Sequence, residues 1–312
     1  MSQGSQRVVI AALSVNLAIA AFKFAAALVS RSSAMLAEAG HSLADTVNQV
    51  FLLVGMRRSA RQPDDAHPFG YGLESYFWSF MVALSIFTLG AGFSVHEGIE
   101  KIVNRNDPDH ALGNPTWAFV ALAVSIVLEG YSFTVAMKEF RSLARGRTIR
   151  QTLREARDPT VLTVLFEDLA ALFGLVVALG GLTLSYATGS VVYDGAASIV
   201  VGVALAGVAW FLAQDTRSLL LGEGVSKGEE EAIRRIVTSH PNVSGIVHLR
   251  TMHLGPKEAI AAIKVKFRPP LDLHSLEERI NQIEAALRHE IPVLHRIYIE
   301  PGFDERGTEI QA

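Results

Sequence analysis

Apolar residues run almost unbroken through the first two-thirds of the 312-residue chain and then give way to short periodic segments. Six apolar stretches stand out, at roughly 7–29, 33–56, 76–99, 115–137, 161–184 and 191–212. Crossing a bilayer takes about 20 apolar residues, and backbone polar groups in lipid must be satisfied within the segment. Each stretch therefore predicts one transmembrane helix. The first lacks a cleavage pattern, carries Lys23 and leads straight into further spans, so it is expected to be retained rather than removed as a signal peptide.

From Gln214 the period changes. Residues 226–239 predict an amphipathic helix whose acidic first turn, Glu229-Glu230-Glu231, suits the helix dipole. Residues 245–254 and 259–267 predict strands around the turn Gly255-Pro256-Lys257-Glu258. A second amphipathic helix over 276–289 carries Ile280, Ile283 and Leu287 on one face, and 293–300 reads as a third strand. The expected fold is a polytopic α-helical membrane protein with six transmembrane helices, followed by a small cytoplasmic α/β domain of order αββαβ, ferredoxin-like in layout. The expected boundaries are 1–213 for the membrane domain, 214–302 for the cytoplasmic domain and 303–312 for a disordered tail.

Composition sharpens this division. Charged residues make up 19% of the chain, against about 25% in ordinary soluble domains. They are concentrated after Gln214. A net charge of −3 gives no reason to expect a nucleic-acid partner. The absence of cysteine excludes disulfides, thiolate metal sites and a cysteine nucleophile. Basic residues set the orientation: Arg57, Arg58 and Arg61 follow span 2, and seven Lys or Arg residues from Lys138 to Arg157 follow span 4. The opposite connections hold only Arg31, Lys101 and Arg105. The even connections, and with them both termini, are expected on the cytoplasmic side.

Ionisable residues inside membrane helices are costly and mark functional candidates. His41 and Asp45 in span 2 are four apart, hence one helical turn apart on one face, with Asn48 on the same stripe. An imidazole and a carboxylate at that spacing can hold one divalent ion. In span 5, Glu167 and Asp168 are adjacent carboxylates in an apolar helix and need a cation, a proton or a partner. They point about 100° apart, so one of them is expected to face His41 and Asp45 squarely. A histidine with two or three carboxylates suits zinc, iron(II), cobalt or manganese. Glu129 in span 4 reads as an outer-shell or proton-relay residue, Lys23 as its counter-ion or a snorkelling lysine, and Asp194 as a cap of span 6. The small residues Gly195, Ala196, Ala197, Gly202, Ala204 and Gly207 of span 6 fit close helix packing.

His41-x-x-x-Asp45, six spans, an αββαβ tail and the stretch Asp64-Asp65-Ala66-His67-Pro68-Phe69-Gly70-Tyr71-Gly72-Leu73-Glu74 together resemble the cation diffusion facilitator family of cation efflux and zinc transporters. The resemblance covers about residues 7–301. It implies a homodimer, joined through the cytoplasmic domain and membrane helices, that exports a divalent cation in exchange for protons. It also implies a tetrahedral site between spans 2 and 5. The family's second His-x-x-x-Asp is half missing: aligning Asp168 with its aspartate puts Val164 at the histidine, with Glu167 beside it as a substitute. This Glu-Asp form resembles a divergent subgroup that includes a mitochondrial zinc exporter. A weaker loop site of the family is matched by Asp64 and His67, with Tyr71 in place of its last histidine. In the tail, Val247, Ile263, Glu277 and Tyr298 stand where the family carries histidines. His248 and Glu300 remain beside them as possible ligands. His240, His253, His274, His289 and His295 are expected at surfaces or turns.

The expected function is therefore secondary-active export of zinc from the cytoplasm, coupled to protons, across a bacterial inner membrane, without enzymatic activity or prosthetic group. The expected central site is His41, Asp45, Asp168 and Glu167. Manganese or iron(II) export is the first alternative, because carboxylate in place of imidazole hardens the site. A membrane metal sensor or scaffold that does not transport is the second.

Overall fold

The computed structural model describes residues 3–30, 33–105, 115–144 and 158–303. Of the expected tail, 303–312, Phe303 belongs to the last strand, and residues 304–312, like residues 145–157 of the basic connection, lie outside the described residues. The chain divides into two compact units: residues 1–61 with 74–217, and residues 62–73 with 218–312.

The first unit is helical: α1 (Gln3–Ser30), α2 (Ser33–Ser59), α3 (Glu74–Ser85), a π-helical segment (Ile86–Gly92), α4 (Phe93–Val103), α5 (Pro115–Ala144), α6 (Pro159–Thr188) and α7 (Val192–Leu220). Elements α3, π and α4 form one continuous span, Glu74–Val103. That span and α1, α5, α6 and α7 are long and apolar enough to cross a membrane. The 27-residue α2 is equally long and less apolar, because it carries Asp45, Asn48 and Gln49 through its middle. Most helices outrun their apolar stretches. Thus α5 continues through Arg141 to Ala144, and α7 runs unbroken to Leu220. Their last turns carry basic side chains that favour a helix C-terminus and the membrane surface.

Local chemistry explains the ends of α6. Asp158 accepts a hydrogen bond from the Thr160 amide and Pro159 occupies the first turn, while Gly189 closes the helix at φ 71°. Helix α7 packs through small residues, as its sequence suggests. A Cβ on Gly98 would come within 2.5 Å of the Gly195 carbonyl, and one on Gly202 within 2.9 Å of the Ala91 carbonyl. Gly207, by contrast, faces open space. Asp194 does not serve as the expected cap. It lies inside the first turn of α7, and its carboxylate is 2.8 Å from the Lys101 ammonium, which is equally close to Glu97.

The second unit contains α8 (Lys227–Ser239), β1 (Val243–Gly255), β2 (Glu258–Phe267), α9 (Leu273–Glu290) and β3 (Leu294–Phe303). The order αββαβ is the one the periodicity predicts. Helix α8 opens with a capping box between Ser226 and Glu229. Strand β2 is central, antiparallel to β1 and parallel to β3, so α9 supplies the crossover that a parallel pair requires. Ala259, Ala261, Ile263, Val265 and Phe267 alternate inward and pack against Ile233, Val237, Ile283 and Leu287. His253 departs from the surface position expected of it: it is 1% exposed, and its amide donates to the Glu223 carbonyl.

The Gln62–Leu73 connection, which follows α2, groups with this second unit. The Arg296 guanidinium lies 5.3 Å from the Phe69 ring centre and pairs with Glu258 at 3.0 Å. Gly72 meets the β1–β2 turn so closely that a Cβ there would collide with the Leu254 carbonyl.

Candidate cation site in the membrane unit

The helices of the first unit line a cavity of about 150 Å³. The α2 stripe reaches it through Ser42, Asp45 and Asn48, which recur every three residues and so share one helix face. Helix α6 contributes Glu167 and Asp168, α5 contributes Ser125 and Glu129, and α1 contributes Asn16 and Lys23. The π-helical segment adds Ile86, Leu89 and Gly90, and its wider turn is a common feature of functional helices. Span 2 and span 5 carboxylates thus come to one space, as their sequence positions suggested. The helical position of His41 is fixed within α2, one turn from Asp45, but its side chain lies outside the described residues.

Each acid is held differently. The two oxygens of Glu167 accept hydrogen bonds from the side-chain amides of Asn48, at 3.1 Å, and Gln49, at 2.8 Å. Asp168, 2% exposed, accepts one bond from the Ser132 hydroxyl at 2.8 Å through Oδ2. Asp45 is half-buried and borders the cavity. Glu129 is buried in the same wall and is attracted by Lys23. Lys23 is buried beside the cavity, so its ammonium is a resident of this space rather than a snorkelling group. Among the described residues no three His, Asp or Glu side chains close on one point. The acids are nonetheless near enough to repel one another, and a buried cluster of that kind favours an added cation.

Gln49 and Ser132 were not singled out from the sequence. Their signal is weak: each is an uncharged polar residue in a membrane helix, one position or one turn from a candidate. Val164, the position of the family's missing histidine, is fully buried in an apolar cluster with Leu162, Leu165, Ala136 and Phe140. It is not among the cavity-lining residues.

The loop candidates sit apart from this cavity, in the second unit. Asp64 accepts from the Tyr71 hydroxyl at 2.7 Å and the His67 amide at 2.8 Å, and the His67 ring nitrogen is 3.6 Å from Asp64. These hydrogen bonds, Tyr71 first, hold the Asp64 carboxyl below the ordinary carboxylate range. Asp64 and His67 are exposed and Tyr71 is half-buried, with the His67 and Tyr71 ring centres 4.3 Å apart. In the tail, Val247 and Tyr298 are exposed, and Ile263 is buried in the core. Glu300 is taken up by Lys264 at 2.7 Å, which lowers its carboxyl's pKa.

Comparison with known proteins agrees with this architecture. Residues 9–221 match the cation efflux transmembrane domain, and residues 225–301 match the cytoplasmic domain of cation efflux proteins. The chain is 35% identical over 272 residues to the mitochondrial proton-coupled zinc antiporter of Xenopus laevis, covering 86% of this chain and 47% of that one. It is 32% identical over 312 residues to metal tolerance protein C4 of Arabidopsis thaliana, covering 99% and 66%. It is 27% identical over 289 residues to the zinc transporter ZitB of Pectobacterium atrosepticum, covering 92% and 82%. The chain spans about half the length of the mitochondrial antiporters it matches. A polar cavity walled by carboxylates, set in a multi-pass helical membrane domain and followed by an αββαβ domain, is thus found in a chain that belongs to the cation efflux, or cation diffusion facilitator, family.

Proposed function

We propose that the chain exports zinc in exchange for protons, through a site built on His41, Asp45, Asp168 and Glu167. The observation that carries this reading is the meeting of α2 and α6 carboxylates in one cavity. Burying several carboxylates together is unfavourable unless a cation or protons neutralise them. Metal and protons therefore compete for the same oxygens, which is the physical basis of exchange. Each Glu167 oxygen keeps a second lone pair after accepting its amide hydrogen, so Glu167 can still donate to a metal. Glu129, attracted by Lys23, is suited to relay protons at the cavity wall. Similarity to proton-coupled zinc antiporters and to ZitB supports zinc as the cargo. The protein acts as a homodimer in a bacterial inner membrane with both termini cytoplasmic. Asp64 and His67 hold metal weakly in the loop.

Manganese or iron(II) remains the second reading for one specific reason: Val164 supplies no imidazole, which leaves an oxygen-rich site. Proteoliposomes loaded with zinc or manganese and given an opposing pH gradient test both. Zinc flux that follows the gradient is expected. Zinc flux indifferent to the gradient contradicts antiport, faster manganese flux favours the second reading, and no flux of either metal favours a sensor.

A further inference from the structure

The side-chain amide of Asn48 has one occupied end and one idle end. Its nitrogen donates to Glu167 at 3.1 Å, which fixes the orientation of the amide. Its carbonyl oxygen, Oδ1, is buried and has no hydrogen-bond partner among the described residues. Asn48 as a whole is 2% exposed and borders the same cavity as Asp45 and Asp168. A buried amide carbonyl without a partner forfeits the solvation it had in water. Gln49 makes an instructive contrast. It also donates to Glu167 and its carbonyl has no partner among the described residues, but it does not border the cavity.

We propose that Asn48 Oδ1 is a direct ligand of the transported cation. The inference rests on the cation-site reading above and extends it by one donor. Asn48 follows Asp45 by three residues, so the two share the cavity face of α2. Asn48 borders the cavity, and with its nitrogen tied to Glu167 the donor left over is its oxygen, the end that hard cations bind. A metal at Asp45 and Asp168 would satisfy the idle carbonyl and would also polarise the amide, strengthening its hydrogen bond to Glu167. An amide oxygen is a hard donor, so Asn48 raises affinity for manganese more than for zinc. It therefore acts as a residue that sets metal preference.

The test is equilibrium binding of Zn²⁺ and Mn²⁺, each alone, to the purified full chain. It also records the visible spectrum of bound Co²⁺. Asn48→Ala should weaken Mn²⁺ by about tenfold or more and Zn²⁺ by less than about threefold. The Co²⁺ bands should intensify as one donor leaves the coordination shell. Asn48→Asp, which restores an oxygen donor and adds charge, should recover Mn²⁺ affinity. Gln49→Ala removes only support for Glu167 and should leave the Mn²⁺ to Zn²⁺ ratio and the Co²⁺ spectrum unchanged. The proposal is overturned if Asn48→Ala and Gln49→Ala weaken both metals by the same factor, since Asn48 would then act only through Glu167. It is also overturned if Asn48→Ala leaves binding and spectrum unchanged, in which case water satisfies the carbonyl. Asp45→Asn separates the two levels: lost binding there with a silent Asn48→Ala removes only this inference, whereas normal binding in Asp45→Asn removes the site itself.

Discussion

The two ends of the helical membrane unit are built from different materials. At the end where the basic connections emerge, Val8, Leu52, Met56, Val82, Phe140, Val161, Leu162 and Leu212 from five helices and span 3 make a dense apolar cluster. Toward the other end, Lys23, Ser42, Glu97, Leu122 and Ser198 surround open space, with Asn48 and Glu167 at its inner limit. Polar and charged groups therefore line the half of the bundle away from the basic connections, while close-packed aliphatic side chains fill the half beside them. The Arg bias of the loops is the basis of the proposed orientation. On the proposed function, with the basic connections on the cytoplasmic side, the apolar half would be the cytoplasmic seal and the cavity the outward half, with the acids at the boundary. A seal made of interdigitated apolar side chains excludes ions cheaply, because a desolvated divalent ion finds no oxygen there. The rocking that would open the inner half must part this cluster, and the π-helical segment at Ile86–Gly92 lies where one wall of the cavity begins.

The contrast can be broken from either side. The largest effect is expected at the boundary. Asp45→Asn keeps the shape and removes the charge, and should weaken zinc binding by more than about 100-fold, beyond what loss of an outer partner costs. Equilibrium binding to the purified protein measures it. Next is the seal. Leu162 is 1% exposed, and Leu162→Ala should destabilise the unit by about 2–5 kcal/mol through the cavity it leaves. The readout is thermal unfolding in detergent, and the same variant should leak zinc without a proton gradient. Third is the contact between α4 and α7. Gly98→Val would press a side chain into the Gly195 carbonyl and should cost about 1–3 kcal/mol, with zinc affinity unchanged because the contact lies outside the donor set. The smallest effect belongs to the second unit. Asp64 titrates below its ordinary value, so its tie to Tyr71 is present above that value and is lost only as pH falls through the lowered one. Tyr71→Phe should raise the Asp64 pKa towards the usual carboxylate range, read by NMR titration, with no measurable change in stability at neutral pH.

Much of this contrast is written in the chain. The apolar stretches announce their helices because lipid leaves no other way to satisfy the backbone. The three- and four-residue spacing of His41, Asp45 and Asn48 places them on one face before any neighbour is known. What the chain does not announce are partners across helices. Nothing near Ser132 marks it as the hydrogen-bond donor to Asp168, thirty-six residues away. Nothing near Gln49 marks it as the second holder of Glu167. Val164 looked like a gap in the metal site, yet it fills the apolar seal, a role that only the packing of α5 against α6 reveals. The helices run past their apolar stretches because hydropathy stops at the membrane surface, whereas hydrogen-bonded helix continues through amphipathic turns such as the one holding Arg141 and Phe140. The grouping of residues 62–73 with the second unit depends on Phe69 beneath Arg296 and on Gly72 at the β1–β2 turn. Those contacts have no sequence period to betray them.

Because the chain contains no cysteine, a single introduced thiol reports directly on which half is open. Ser94 borders the cavity, and Val164 sits in the seal with no exposed surface. The decisive measurement is the rate at which a membrane-impermeant thiol reagent, added outside, modifies Ser94→Cys and Val164→Cys in reconstituted vesicles of known orientation, with and without zinc. Rapid modification of Ser94→Cys that zinc slows, beside an inert Val164→Cys, is the predicted result. Modification of Val164→Cys as fast as Ser94→Cys, or a Ser94→Cys rate indifferent to zinc, would contradict an outward cavity leading to the metal.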